Sequence, residues 1–75
     1  MYKENFATKL KKARHDSGYS QKEVEQMTGI SQPIIAYLET GKREPSLENF
    51  GILADFYGVS ADWLLGTGMR RNDHK

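Results

Sequence analysis

Residues 20–38 read SQKEVEQMTGISQPIIAYL, and this stretch decides the fold. Ser20 suits an N-cap, and Glu23 three residues on completes a capping box, in which each side chain satisfies a backbone N–H of the other residue. Val24 and Met27 follow at helical spacing, which predicts one buried face. Gly29 breaks the pattern where a chain leaving a helix needs a positive φ. Ile30 is apolar and fits the gap between two helices. Ser31 caps again, and Pro33 sits in the first turn, where a missing N–H costs nothing. Ile35 and Leu38, three apart, supply the buried stripe of the second helix.

Two short helices joined by a glycine-containing turn form a helix-turn-helix, whose second helix enters the major groove of DNA. The flanks extend the helical pattern. Residues 1–5 read as a frayed lead-in. Phe6, Leu10 and Ala13 then recur at i, i+4 and i+7, one apolar stripe of a first helix. Lys9, Lys11, Lys12 and Arg14 crowd the rest of it, and most of these cations read as a solvated face. Asp16-Ser17-Gly18 ends that helix, and Tyr19 precedes the Ser20 cap, where it can pack back as a hydrophobic staple. After Leu38, Gly41 stops the helix, Pro45 makes a rigid turn and Ser46 with Asn49 starts the next helix. Leu47, Phe50, Leu53, Ala54 and Tyr57 give that fourth helix an apolar face. Gly58 stops it, and Ser60 caps a last short helix with Trp63 and Leu64 turned inward. Gly66 and Gly68 end the folded part, so the expected domain covers 1–69, and 70–75 is expected to be a flexible basic tail. With no strand alternation, repeat or linker, the expected fold class is all-α, five helices in one domain.

Composition narrows the classes. Seventy-five residues make one domain, small for a lone hydrophobic core, so support from dimerisation is expected. The absence of cysteine excludes disulfides and cysteine-based metal sites and suits a reducing cytoplasm. Eleven basic and ten acidic residues leave a net charge of +1, so any case for nucleic acid must rest on where the charges lie. No signal peptide and no membrane-spanning run is read. His15 and His74 stand far apart without a ligand cluster, the serines serve as caps, and the acidic residues form no catalytic motif. No metal, no cofactor, no small-molecule ligand and no enzymatic activity are therefore expected. Trp63 and Tyr57 read as core.

The helix order, the segment 20–38, the turn YLETGKREPS and the closing GVSADWLLG resemble the lambda-repressor-like DNA-binding domain, the Cro/repressor type of the XRE family. The resemblance covers about residues 6–66, with three motifs in the right order and spacing. It implies a compact all-α domain that binds operator DNA, usually as a two-fold dimer. It further implies that Gln21 contacts a backbone phosphate and braces the recognition helix. Gln32 takes the main base-reading position, where glutamine can pair with adenine N6 and N7. Pro33, Ala36 and Tyr37 share the outward face, while Lys42 and Arg43 clamp phosphates and so fix register. Lys22 and Ser31 complete the implied DNA-contacting set. Arg14 and Glu39 are implied to form a structural ion pair between the first helix and the end of the recognition helix. Ala61, Leu64 and Leu65 are implied to supply a homodimer contact.

Two departures from the family pattern stand out. Glu25 replaces an alanine at the helix crossing, so its carboxylate must bend outward or find a partner. The outward face offers few polar groups, which favours thymine-methyl contacts. The function expected is a sequence-specific, double-stranded DNA-binding transcriptional regulator, a repressor acting on a palindromic operator. The alternative is a protein-interaction module, such as an antitoxin with secondary DNA binding.

Overall fold

Each helix starts and stops where its own side chains dictate. The computed structural model describes residues 2–65. Among them are five helices and no strand: α1 (Tyr2–Ser17), α2 (Gln21–Thr28), α3 (Gln32–Thr40), α4 (Leu47–Tyr57) and α5 (Ala61–Leu65). This is the all-α, five-helix order of a lambda-repressor-like domain.

The capping box forms at α2: Ser20 Oγ accepts from the Glu23 N–H at 3.0 Å, and Glu23 Oε1 accepts from the Ser20 N–H at 2.8 Å. Ser46 Oγ caps α4 through the Asn49 N–H, and Ser60 Oγ caps α5 through the Trp63 N–H, both at 3.0 Å. Ser31 differs. Its backbone is extended as an N-cap requires, but its side chain makes no capping bond. Gly29 closes α2 at φ 83°, with its N–H on the Glu25 carbonyl at 2.8 Å. Thr28 stitches the same turn, donating to the Val24 carbonyl at 2.7 Å and accepting from the Ile30 N–H at 3.2 Å.

Packing follows from these directions. Phe6 and Leu10 of α1 meet Val24, Ile30, Ile35, Leu38, Leu53 and Leu64 in one buried cluster. The helix α1 lies chiefly against α3 and α5, and α2 lies against α3. Ile30 fills the junction between α2 and α3 at 6% exposure, as its position predicts.

Several local expectations need correction. The helix α1 begins at Tyr2, so 2–5 continue it and do not lead in. Met27 is exposed, because Thr28, four residues after Val24, takes the inner position on this two-turn helix. Leu47 is 87% exposed. It lies about 120° around α4 from Leu53, off the buried stripe. Tyr19 packs against the core cluster that includes Val24, and its ring also lies 5.1 Å from that of Phe56, so it fixes the α1–α2 corner to α4 as well. Lys9 is no solvated cation: Nζ donates to the Trp63 carbonyl at 2.8 Å and lies 5.4 Å from the Trp63 ring centroid. It therefore ties α1 to α5. The expected glycine stop at 66 and 68 and the expected tail lie outside the described residues.

Candidate nucleic-acid interface

The site is built on a buried ion pair. Arg14 reaches from α1 to Glu39 near the end of α3: Nε donates to Oε2 at 2.7 Å and Nη2 to Oε1 at 3.0 Å. The third guanidinium nitrogen, Nη1, donates to the Tyr19 carbonyl at 2.9 Å. The two side chains are 10% and 3% exposed. This two-pronged geometry holds both side chains in one orientation. The hydrogen bond that Arg14 donates to Glu39 raises the Arg14 pKa, outweighing the opposing effect of burial. Tyr57 stands beside the pair. Burial, and then the Glu39 charge, push its phenol up to about 12 against the opposing pull of Arg14.

From Glu39 the network runs outward. Gln21, the first residue of α2, donates Nε2 to Glu39 Oε1 at 3.0 Å. Its Oε1 accepts from Gln32 Nε2 at 2.7 Å. Arg14, Glu39, Gln21 and Gln32 thus form a continuous row from the core to the first residue of α3. A primary amide has two donor hydrogens and an acceptor oxygen. The bond to Gln21 uses one hydrogen of Gln32, so its Oε1 and second hydrogen stay open, the pair that an adenine edge requires.

The remaining residues surround this point. Pro33 is exposed, Ser31 and Ala36 are half-buried, and Tyr37 is exposed on the outward side of α3. Lys22 and Glu25 are both on α2, with Nζ and Oε1 4.0 Å apart, so the Glu25 carboxylate bends outward. Lys42 and Arg43 are exposed in the loop after α3. That loop is held to the helix end by the Lys42 N–H on the Tyr37 carbonyl at 3.0 Å. The Arg43 guanidinium lies 5.2 Å from the Tyr37 ring centroid. The first turn of α3 keeps open N–H groups, since Ser31 provides no side-chain cap, and such groups favour a phosphate.

The surface expected to meet a second copy is different from its sequence description. Leu64 is fully buried and presents nothing to a partner; the five-residue α5 turns it straight into the core. Ala61 is exposed and Leu65 half-buried. Leu65 instead borders an apolar groove of about 270 Å³, with Phe6, Pro45, Leu47 and Phe50 along it and Glu44 at its edge. Helical spacing could not reveal the groove, because its walls come from α1, the α3–α4 loop, α4 and α5. The one available signal was Leu47, an apolar residue off its helix's stripe. Among the described residues no helix is long and apolar enough to cross a membrane, and no group of three metal-ligating side chains converges.

Known proteins show the family. A family model described as helix-turn-helix matches residues 10–64. The chain is 40% identical over 60 residues to the SPbeta prophage-derived uncharacterized HTH-type transcriptional regulator YonR of Bacillus subtilis, covering 80% of this chain and 56% of that protein. It is 36% identical over 62 residues to the HTH-type transcriptional regulator ImmR of the same organism, covering 83% of this chain and 49% of that one. An uncharacterized HTH-type transcriptional regulator of Sinorhizobium fredii is 39% identical over 56 residues, covering 75% of this chain and 68% of its own. The chain thus spans about half the length of the first two curated relatives.

Proposed function

The chain belongs to the helix-turn-helix family, and on that premise we propose that it is a sequence-specific regulator of transcription that binds double-stranded DNA with α3 in the major groove. The observation that carries this reading is the row from Arg14 to Gln32. A buried ion pair anchors Gln21, Gln21 orients Gln32, and Gln32 stands half-buried at the start of α3 with an adenine-matching donor and acceptor unspent. Such a row serves no purpose for a solvated helix end, where a free glutamine loses nothing by rotating.

The contacts then sort by role. Gln32 reads a base by hydrogen bonds, and Pro33 and Ala36 offer apolar surface to thymine methyl groups. Gln21, Lys22 and Ser31, at the first turns of α2 and α3, meet phosphates, as do Lys42 and Arg43 beyond α3. One recognition helix reads only a few base pairs, too little to stand out against the excess of non-specific sites. We therefore assign a two-fold dimer on a palindromic operator, with recognition helices about 34 Å apart. Its interface is the groove beside Leu65 together with exposed Leu47 and Ala61. The regulator acts as a repressor in the cytoplasm by occupying its operator.

Selecting bound fragments from random DNA at near-physiological salt tests this. A shared palindrome is expected. Fragments with no common sequence refute the specific reading, and a common unpaired half-site removes the dimer while keeping the base reader.

A further inference from the structure

Tyr37 holds the loop after α3 at two points. Its carbonyl accepts the Lys42 N–H at 3.0 Å, and its ring lies 5.2 Å from the Arg43 guanidinium. Gly41, in the left-handed region at φ 80°, turns the chain back over the helix end and makes both contacts possible. A side chain at Gly41 would also have to accommodate Ala7 Cβ, 3.8 Å from where its own Cβ would stand. No carboxylate pairs with Arg43 among the described residues. A contact with the ring face uses none of the five guanidinium N–H donors, and none of them is hydrogen-bonded among the described residues. Both residues are exposed, and Tyr37 is on the outward side of α3 that also carries Pro33.

A free arginine on a loop loses rotamer entropy when it grips a phosphate. One held against a ring has already lost part of it. We infer that Tyr37 is a positioning residue for Arg43: its ring holds the guanidinium beside the recognition helix so that the in-plane donors meet a DNA phosphate. This rests on the DNA-binding reading above, and it gives Tyr37 a task other than reading a base. The tyrosine hydroxyl plays no part in it.

The consequence is unusual for an uncharged residue. Each phosphate contact contributes about one unit to the slope of log K against log salt. Arg43→Ala is therefore expected to flatten that slope by about one unit. Tyr37→Leu, which keeps apolar bulk and removes the ring, is expected to move the slope toward that of Arg43→Ala. It should weaken binding to all sequences about 2- to 5-fold, the worth of an exposed cation–ring contact. In the Arg43→Ala background Tyr37→Leu should weaken binding no further. Tyr37→Phe should behave as wild type.

A wild-type slope in Tyr37→Leu overturns the inference, as does an altered base preference confined to the Tyr37 variants, which would make the ring a base reader. Proton NMR of the wild-type protein gives a check that needs no variant to fold. The ring-current displacement of the Arg43 side-chain protons is expected in the free protein and in the DNA complex, and its loss on binding DNA overturns the inference. If the wild-type protein binds no DNA at any salt concentration, the functional reading itself has failed, and that is seen before any variant is compared.

Discussion

Replacing Glu39 by alanine tests the support beneath the recognition helix without any DNA. The carboxylate accepts from Arg14 Nε at 2.7 Å, from Arg14 Nη2 at 3.0 Å and from Gln21 Nε2 at 3.0 Å, with its side chain 3% exposed. Truncation leaves a guanidinium that is 10% exposed, with one remaining partner, the Tyr19 carbonyl. Removing one member of a buried pair costs about 3–5 kcal/mol, mostly from the uncompensated charge. The surviving bond to Tyr19 places the expected loss near the lower bound, about 3 kcal/mol. For a domain of this size that lowers the melting temperature by roughly 12–24 °C. The raised Arg14 pKa sets the pH window. Its share of stability is fully present below the ordinary guanidinium value and is lost only as pH rises through the raised one, so melting at neutral pH measures it whole. Thermal unfolding followed by circular dichroism, in the absence of DNA, is the assay. Arg14→Met combined with Glu39→Leu is the control, because it removes both charges and should recover most of the loss. A Glu39→Ala midpoint within about 4 °C of wild type, the shift expected of an ordinary surface pair, refutes the reasoning.

Three further outcomes are expected. Gln32→Ala should cost about 1–3 kcal/mol of specific binding and relax the selected base at one position per half-site; an unchanged selected motif would remove Gln32 as the reader. Leu47→Glu adds an acidic residue to the first turn of α4, where the helix dipole tolerates it, so the melting temperature should hold while cooperative binding to a full palindrome disappears; retained cooperativity would place the dimer contact elsewhere. The Tyr57 phenol, raised to about 12 chiefly by burial, keeps its stabilising share below its ordinary value near 10 and loses it as pH climbs from there toward 12. Tyr57→Phe should therefore lose stability less steeply than wild type across that alkaline window, and parallel curves would count against the assignment.

Much of the fold was legible because its signals are local. The capping box at Ser20, the caps at Ser46 and Ser60 and the left-handed glycine at 29 each act within one turn of chain. The stripes Phe6–Leu10–Ala13 and Ile35–Leu38 also follow from backbone geometry alone, and all five residues are buried. Met27 and Leu47 show the limit of that reading. Apolar character at roughly helical spacing does not say which residue faces inward. On α2 Val24 is buried and Thr28 half-buried while Met27 is exposed, and on the eleven-residue α4 Leu53 is buried while Leu47 is exposed.

Sequence by itself determined the starts of α2 to α5, the helix-turn-helix and the family to which the chain belongs, because capping, glycine conformation and apolar period are properties of neighbouring residues. The family pattern also implied an ion pair between Arg14 and Glu39. Tertiary structure alone decided what that pair carries. Gln21 and Gln32 stand eleven residues apart in different helices, and their 2.7 Å contact exists only because α2 and α3 cross at the turn. The same holds for Lys9 on Trp63, separated by 54 residues, and for the groove whose walls come from four parts of the chain. Side chains that meet across helices leave no periodic trace in the chain, so their partnership is settled only when the packed core brings the helices together.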